Sequence, residues 1–170
     1  QVARAVHESQ LEFDLIVTLA KGGWAMTRSL ADFTQIEQIA SIGVKFYFGI
    51  NQKEPTPLVY QDLPLDVSDL RILLFDDVAD SGGSLQFVKQ LLLERQARLV
   101  KTATLYYKPH SALRPDFFGE TTDAWIIFPF ELREMSQLLM EKWRALGVAS
   151  RAGRAQLRQL GFPAWIVELV

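Results

Sequence analysis

The segment 71–94, RILLFDDVADSGGSLQFVKQLLLE, places an apolar run, a polar turn and an amphipathic run in direct succession. The run RILLFDD (71–77) has the composition of a strand buried on both faces, and residues 84–96 have helical spacing. A second apolar run, FDLIVTLA (13–20), leads directly into KGG and a predicted helix over 24–33. Strands that alternate with helices favour βαβ units and a parallel sheet. The chain is therefore predicted to adopt an α/β fold.

The rest of the chain continues this alternation of apolar runs and helical periodicity. Further strands are predicted over 39–48, 99–109 and 123–131, and further helices over 3–12, 132–147 and 151–161. Residues 51–64 hold three prolines and mixed charge, so they predict a loop that can include a short strand at PLVY. In parallel sheets, ligands bind beyond the carboxyl ends of the strands. Both KGG and DDVADSGGS follow such ends.

Composition narrows the classes of function. The chain has 170 residues, which suits one domain, and it lacks cysteine, which excludes disulfides and thiolate metal sites. His7 and His110 are too few for a histidine-rich metal site. The net charge of −2 gives no electrostatic footprint for nucleic acid, and the apolar runs are too short to span a bilayer. We expect a cytoplasmic protein without nucleic-acid or membrane partners.

The turn SGGS (81–84) has the composition of a phosphate site. Gly82 and Gly83 allow close approach of the backbone, and the N-terminus of the following helix favours an anion. Ser81 and Ser84 can add hydroxyl donors. The alternative is an ordinary turn in which Ser84 caps the helix. The glycine patterns of a Walker loop and of a dinucleotide-binding turn are both absent.

Three aspartates beside this turn extend the predicted site. Asp76 and Asp77 end the strand, and Asp80 lies in the turn. Next to a bound phosphate, such carboxylates can accept hydrogen bonds from vicinal sugar hydroxyls or face a hydrated cation. Successive side chains of a strand point to opposite faces, so only one of Asp76 and Asp77 is sure to face the ligand. The pattern favours ribose 5-phosphate over bare phosphate, and solvated turn acids are the alternative.

The segment ILLFDDVADSGGSL (72–85) resembles the phosphoribosyl-pyrophosphate (PRPP) signature of the type I phosphoribosyltransferases, with Ser81 and Ser84 where the family usually has threonine. The resemblance covers about residues 13–131. It implies a mainly parallel sheet flanked by helices, with a small hood and a helical C-terminal tail. We predict a phosphoribosyltransferase domain over 1–131, hood included, and a helical tail over 132–170 packed on the same domain.

The resemblance also implies roles for the residues at the strand ends. Asp80 would be the catalytic acid/base that meets purine N7, and Asp76 and Asp77 would orient the ribose hydroxyls. The turn from Ser81 to Ser84 would bind the 5′-phosphate. LAKGGW (19–24) resembles the pyrophosphate loop of the family, which can carry a cis peptide bond, so Lys21 and Gly22 would bind pyrophosphate. An ordinary turn with a surface lysine is the alternative.

ATLYYKPHS (103–111) followed by DAWIIFPFE (123–131) resembles the 6-oxopurine branch of the family. Lys108 would donate to the exocyclic O6, Trp125 would stack on the purine ring, and the backbone at Ile126 would meet the edge of the ring. An ammonium only donates, so Lys108 suits a 6-oxo group and disfavours the amino group of adenine. The alternatives are a core tryptophan and a solvated lysine.

The implied function is transfer of the 5-phosphoribosyl group from PRPP to N9 of hypoxanthine, guanine or xanthine, with release of pyrophosphate. Mg²⁺ is the implied cofactor, with Asp76 and Asp77 as ligands through water, and Glu131 as a further ligand or as a solvated acid at a helix start. The loop over 51–64 occupies the place of the family's lid; VKFYFG keeps Tyr47 but lacks the usual preceding serine.

Two other functions stay open at this point. One is a non-enzymatic regulator with the same fold that senses PRPP or a nucleotide. The other is a phosphoribosyltransferase for a non-purine base. The tail from residue 132 can pack on the core or form the contact of a homo-oligomer.

Overall fold

The computed structural model describes residues 1–47 and 56–170. Residues 51–55 of the predicted lid therefore lie outside the described residues. In chain order, the elements are α1 (Val2–Glu8), β1 (Leu15–Ala20), α2 (Trp24–Thr34), β2 (Ile39–Tyr47), β3 (Thr56–Gln61), β4 (Arg71–Ala79), α3 (Gly83–Glu94), β5 (Leu99–Tyr107), β6 (Phe117–Thr121), α4 (Leu132–Ala145), α5 (Ser150–Gln159) and α6 (Ala164–Glu168).

The described strands form one sheet in the order β3-β2-β1-β4-β5-β6. Every neighbouring pair is parallel except β2 and β3, which are antiparallel. The fold class predicted from the sequence, a mainly parallel sheet flanked by helices, is confirmed. The short strand expected at PLVY is also confirmed, as part of β3.

The two central strands are apolar throughout because helices cover both faces of the sheet. Ile16 and Leu73 pack on one face with residues of α1 and α2. Val17 and Leu74 pack on the other face with Val88 and other residues of α3. A strand buried on both faces cannot alternate polar and apolar residues, which explains the uninterrupted runs in the sequence.

The order of the strands determines where a ligand can bind. From β1 the chain continues outward through β2 and β3, whereas β4 pairs with the other edge of β1 and leads outward to β5 and β6. The direction of winding therefore reverses between β1 and β4, and a crevice opens there at the carboxyl ends of the strands. Ala20 ends β1 and Ala79 ends β4, so the two sequence segments singled out above leave the sheet at the same edge.

The prediction of a strand over 123–131 is wrong. The last strand is β6 (Phe117–Thr121), which occupies the edge beside β5, and residues 124–131 are irregular. Within this apolar segment, Ile127 packs against the core of the C-terminal helices, and Phe128 stacks on Phe130 with ring centroids 5.1 Å apart. An apolar run can be buried without pairing as a strand, and periodicity alone does not separate the two cases.

The sequence analysis missed β6 because Gly119 and polar residues interrupt its apolar character. A Cβ on Gly119 would lie 2.6 Å from the carbonyl oxygen of Leu105. Glycine is therefore the residue that lets this strand approach β5. The same feature weakens the strand signal in the sequence.

The chain divides into two compact units, Gln1–Asp123 and Ala124–Val170. Residues 124–131, part of the predicted hood, belong to the second unit together with α4, α5 and α6. The predicted helices over 132–147 and 151–161 are confirmed as α4 and α5, and α6 was not predicted. The core of this unit is formed by Met140, Leu157, Phe162, Ile166 and Val167. No helix within the described ranges is long and apolar enough to cross a membrane.

An ion pair joins the amino ends of β1 and β4, at the edge of the sheet opposite the crevice. Arg71 donates to both carboxylate oxygens of Asp14, from Nη2 at 2.7 Å and from Nε at 3.0 Å. The backbone N–H of Arg71 donates to the same carboxylate at 2.7 Å. The guanidinium bonds of Arg71, followed by this backbone bond, lower the pKa of Asp14 to about 2.

We expect Asp14→Asn to lower the free energy of unfolding at pH 7 by about 1 kcal/mol. One pKa unit corresponds to about 1.4 kcal/mol, and the partial exposure of the pair reduces the effect. Because the folded pKa lies below the unfolded value, this stability is present above about pH 4 and is lost as the pH falls toward about 2. Urea titrations over this range measure the difference between variant and wild type.

The control for this prediction is Asp32→Asn, which removes an exposed helical pair with Arg28 and should change stability by less than about 0.5 kcal/mol. A deficit of Asp14→Asn that stays constant down to pH 3 would contradict the assignment.

Candidate active site

Three chain segments meet at the carboxyl edge of the sheet. They are the KGG loop after β1, the turn 80–84 after β4 and residues 108–113 after β5. All the site residues predicted in the first unit lie on these segments or at the end of β4. The parallel order β1-β4-β5 brings the three segments side by side, although they are far apart in the sequence.

The KGG loop lies directly against an aspartate of β4. A Cβ on Gly22 would be 2.7–2.8 Å from the carboxylate atoms of Asp77, which is 5% exposed. A side chain at position 22 would therefore displace this carboxylate. The peptide bond between Ala20 and Lys21 is cis, as the resemblance implied. Gly23 follows as the N-cap of α2, so the loop ends at the N-terminus of a helix.

Asp76 and Asp77 point to opposite faces of β4, as adjacent residues of a strand do. Asp77 faces the KGG loop. Oδ1 of Asp76 accepts a hydrogen bond from the backbone N–H of Asp77 at 3.0 Å. Asp76 is the register partner of Thr104 on β5, whose hydroxyl is buried and has no hydrogen-bond partner within the described part of the chain.

The turn after β4 is shaped by Gly82. This residue is the N-cap of α3, and its φ of 80° lies in the left-handed region that favours glycine. A Cβ there would lie 2.5 Å from Ser111 Oγ and 2.7 Å from the backbone nitrogen of Leu113. The idea that Ser84 caps the helix is wrong, because α3 begins at Gly83 and Ser84 lies in its first turn.

The backbone of this turn can supply donors to an anion. The first N–H groups of an α-helix have no partner within the helix, and the helix dipole favours negative charge at that end. Ser81 is exposed, and its Oγ accepts a weak hydrogen bond from the N–H of Gly83 at 3.4 Å. The arrangement can hold a phosphate group through backbone N–H groups and serine hydroxyls.

Asp80 contacts two basic side chains from the segment after β5. Its Oδ1 lies 3.3 Å from Nζ of Lys108 and 3.0 Å from Nε2 of His110. The side chain of Lys108 is only 10% exposed. A buried ammonium needs anionic or polar partners, and Asp80 provides one. The alternative of a solvated Lys108 is therefore wrong.

The remaining predicted site residues belong to the second unit. Trp125 is 67% exposed, so the alternative of a core tryptophan is wrong, and Ile126 is half-buried. Glu131 is the N-cap residue of α4. The roles assigned to these three residues stay predictions.

The acidic residues of the site suit a magnesium ion that is bound to a substrate. They suit an ion held by protein side chains alone less well. Within the described ranges, no three histidine or acidic side chains are grouped so that they could hold a metal. Mg²⁺ keeps several water ligands and is usually bound by one or two carboxylates together with substrate phosphates. Asp76 and Asp77 at the end of β4 supply carboxylates of this kind.

Sequence comparison identifies the family. A protein-family model with the description "phosphoribosyl transferase domain" matches residues 1–135 of the chain. The chain belongs to this family. It is therefore a transferase of the phosphoribosyl group, as the signature at 72–85 predicted.

Three proteins that resemble this chain are named as purine phosphoribosyltransferases. The xanthine-guanine phosphoribosyltransferase of Ruegeria sp. (strain TM1040) is 29% identical over 124 residues, which cover 69% of this chain and 68% of that protein. The hypoxanthine-guanine phosphoribosyltransferase of Bacillus subtilis (strain 168) is 33% identical over 73 residues, which cover 41% of each chain. The crystal structure of the purine phosphoribosyltransferase from Pyrococcus horikoshii Ot3 superposes with a TM-score of 0.67 at 29% identity, over 76% of this chain and 83% of that one.

Two residues of this site were not predicted from the sequence. His110 pairs with Asp80, and Ser111 borders Gly82. Both lie in the quoted segment KPHS, directly after Lys108. A strand-end lysine followed by two further polar residues was the available signal, but the partners of these residues lie about 30 positions earlier in the chain.

We expect Gly82→Ala to destabilise the protein by at least about 2 kcal/mol, because the left-handed conformation and the contacts with Ser111 and Leu113 both oppose a methyl group. The matched variant Gly83→Ala should be neutral or slightly stabilising. Its Cβ would meet nothing closer than 3.6 Å, and alanine favours a helix more than glycine does. Chemical denaturation of both variants measures the difference, and equal stabilities would contradict this account of the turn.

Proposed function

We propose that this enzyme transfers the 5-phosphoribosyl group from PRPP to N9 of a 6-oxopurine, namely hypoxanthine, guanine or xanthine, and releases pyrophosphate. The contact between Asp80 and Lys108 is the observation that carries this proposal. It joins the turn of the PRPP signature to a buried cation that can read the base. The purine enzymes among the similar proteins support the same acceptor class.

The turn from Ser81 to Ser84 binds the 5′-phosphate of PRPP in this proposal. The first N–H groups of α3 and the serine hydroxyls donate to the phosphate oxygens. Gly82 and Gly83 keep side chains away from the anion. This contact places the ribose over the end of β4. Asp76 and Asp77 lie on opposite faces of the strand there, and in this proposal one carboxylate from each face accepts a hydrogen bond from the 2′- and 3′-hydroxyls.

The KGG loop binds the pyrophosphate that leaves. Lys21 supplies positive charge, and Gly22 lets the backbone approach the oxyanion closely. The sugar carbon passes through an oxocarbenium-like transition state, so catalysis depends on neutralising the leaving group and positioning the base more than on a nucleophile. Mg²⁺ bound to PRPP would supply further neutralisation of the diphosphate charge.

Lys108, in the first unit, recognises the base in this proposal. Lys108 donates to O6 of the purine, and its ammonium has no acceptor for the amino group of adenine. The exposed ring of Trp125 is a surface on which a purine can stack, and the roles of Trp125 and of the backbone at Ile126 in binding the base remain predictions. Asp80 contacts N7 and acts as acid/base while N9 attacks the sugar. Glu131 as a metal ligand, the assignment of 1–131 as the catalytic domain, a cytoplasmic location and a homo-oligomeric state remain predictions.

The direct test is incubation with PRPP, Mg²⁺ and each purine base, with detection of nucleotide and pyrophosphate. We expect product with at least one 6-oxopurine and none with adenine. Saturable binding of PRPP without turnover on any base would instead support a sensor of PRPP or nucleotide.

We expect Lys108→Met to lower kcat/KM for the 6-oxopurine about 10- to 100-fold, since a hydrogen bond from a charged donor contributes about 1.5–3 kcal/mol. The ratio of kcat/KM for 6-oxopurine over adenine should fall by a similar factor. The control Lys101→Met changes a lysine near the start of β5, at the end of the strand opposite to Lys108. Lys101 pairs with Asp116, so this variant should leave the ratio unchanged. Unaltered selectivity in Lys108→Met would point to a non-purine acceptor.

Asp80→Asn should lower kcat about 100- to 10,000-fold, the usual contribution of general acid–base catalysis. The KM for PRPP should change little, because Asp80 contacts the base in this proposal. Steady-state kinetics with PRPP varied at saturating base measures both constants. A variant with normal kcat would remove Asp80 from the catalytic step.

A further inference from the structure

The imidazole of His110 is held against the carboxylate proposed to act as acid/base. Its Nε2 lies 3.0 Å from Oδ1 of Asp80, the same oxygen that lies 3.3 Å from Nζ of Lys108. A carboxylate oxygen accepts, so Nε2 is the donor. The side chains of His110 and Asp80 are 60% and 58% exposed, whereas that of Lys108 is 10% exposed. The two partners of Asp80 therefore differ in burial.

Backbone hydrogen bonds fix the segment that carries His110 to the residues directly before and after Asp80. The N–H of Lys108 donates to the carbonyl of Ala79 at 3.1 Å, and the N–H of Ala112 donates to the carbonyl of Ser81 at 2.9 Å. A third bond, from the N–H of Ser111 to the carbonyl of Lys108 at 2.9 Å, closes the turn around His110. The main chain that carries His110 is therefore fixed by backbone hydrogen bonds. An ordinary surface contact between two long side chains has no such support.

Base binding changes the surroundings of Asp80 if the proposed function holds. In the structure, Lys108 and Asp80 contact each other, whereas each has its own target on the purine, O6 and N7 respectively. An ammonium on a flexible stem can turn toward O6. The carboxylate would then have one fewer partner fixing its orientation, at the moment when its geometry matters for proton transfer.

We propose that His110 is a positioning residue that keeps Oδ1 of Asp80 in place when Lys108 turns to the purine, so that the other oxygen, Oδ2, can contact N7. This inference rests on the proposed function. His110 does not touch the substrate and acts through Asp80 alone. It follows that His110 affects the rate of transfer more than the affinity for the base.

The test compares His110→Ala with His110→Gln, whose side-chain amide retains an N–H donor. Turnover is measured with guanine, hypoxanthine and xanthine at saturating PRPP. His110→Ala should lower kcat about tenfold while KM for the base changes less than about threefold. His110→Gln should recover at least about half of the lost rate. The melting temperature should shift by no more than about 1 °C in either variant, because the pair is exposed.

Two controls separate positioning from other effects. His7→Ala removes the other histidine, which bonds the carbonyl of Phe33 between α1 and α2, and it should leave kcat unchanged. In an Asp80→Asn background, adding His110→Ala should lower kcat by less than about twofold, since a residue that acts through Asp80 has no further effect once that carboxylate is gone.

Three results would overturn the inference while leaving the proposed function intact. They are a wild-type rate in His110→Ala, a tenfold rise in KM with unchanged kcat, and a full additional loss in the Asp80→Asn background. The first would make the contact irrelevant to turnover, and the second would indicate direct contact of His110 with the base. Absence of turnover by the wild-type enzyme on all three bases would instead overturn the proposed function, and this inference with it.

Discussion

The parallel pairing of β1 with β4 is the constraint on which the site depends. Leu15 to Thr18 lie in register with Ile72 to Phe75, and both strands are buried on both faces. Because the strands run in the same direction, their carboxyl ends open at one edge, where the KGG loop lies against Asp77 of β4. The chain leaves β1 toward β2 and leaves β4 toward β5, in opposite directions along the sheet. The segments that follow these two strands therefore do not cover each other's loops. An antiparallel pairing would have placed the two loops at opposite edges.

Close contact at this edge explains the small residues in both loops. Gly22 leaves room for the buried carboxylate of Asp77, and Gly82 leaves room for Ser111 and Leu113. Each glycine is required by a neighbour from a distant part of the chain. The same packing buries the carboxylate of Asp77 at the end of β4, where its residue is 5% exposed. Asp80 differs from Asp77 because it is half-exposed and contacts the side chains of Lys108 and His110.

Much of the fold could be predicted from the sequence, and the failures have physical causes. The apolar runs of β1 and β4 and the helical spacing of α2 and α3 are local patterns, so they were recognised directly. The segment 123–131 was predicted as a strand because it is apolar, yet it packs without pairing. The strand β6 was missed because Gly119, which the neighbouring strand requires, weakens its pattern. In the candidate site, the loops were predicted, whereas the pairing of His110 with Asp80 is a contact across 30 positions that no local pattern indicates.

The sequence by itself determined the class of fold, the two loops that bear the site, and a motif specific enough to indicate the phosphoribosyltransferase family. These depend on the order of residues along a strand, a turn and a helix, which is local information. Only the tertiary structure decided which face of β4 each aspartate occupies, that Gly82 rather than Ser84 caps α3, and that Lys108 and His110 share one oxygen of Asp80. These features depend on the parallel pairing of β1, β4 and β5. This pairing brings together residues that are far apart in the sequence, so no local pattern could predict their contacts.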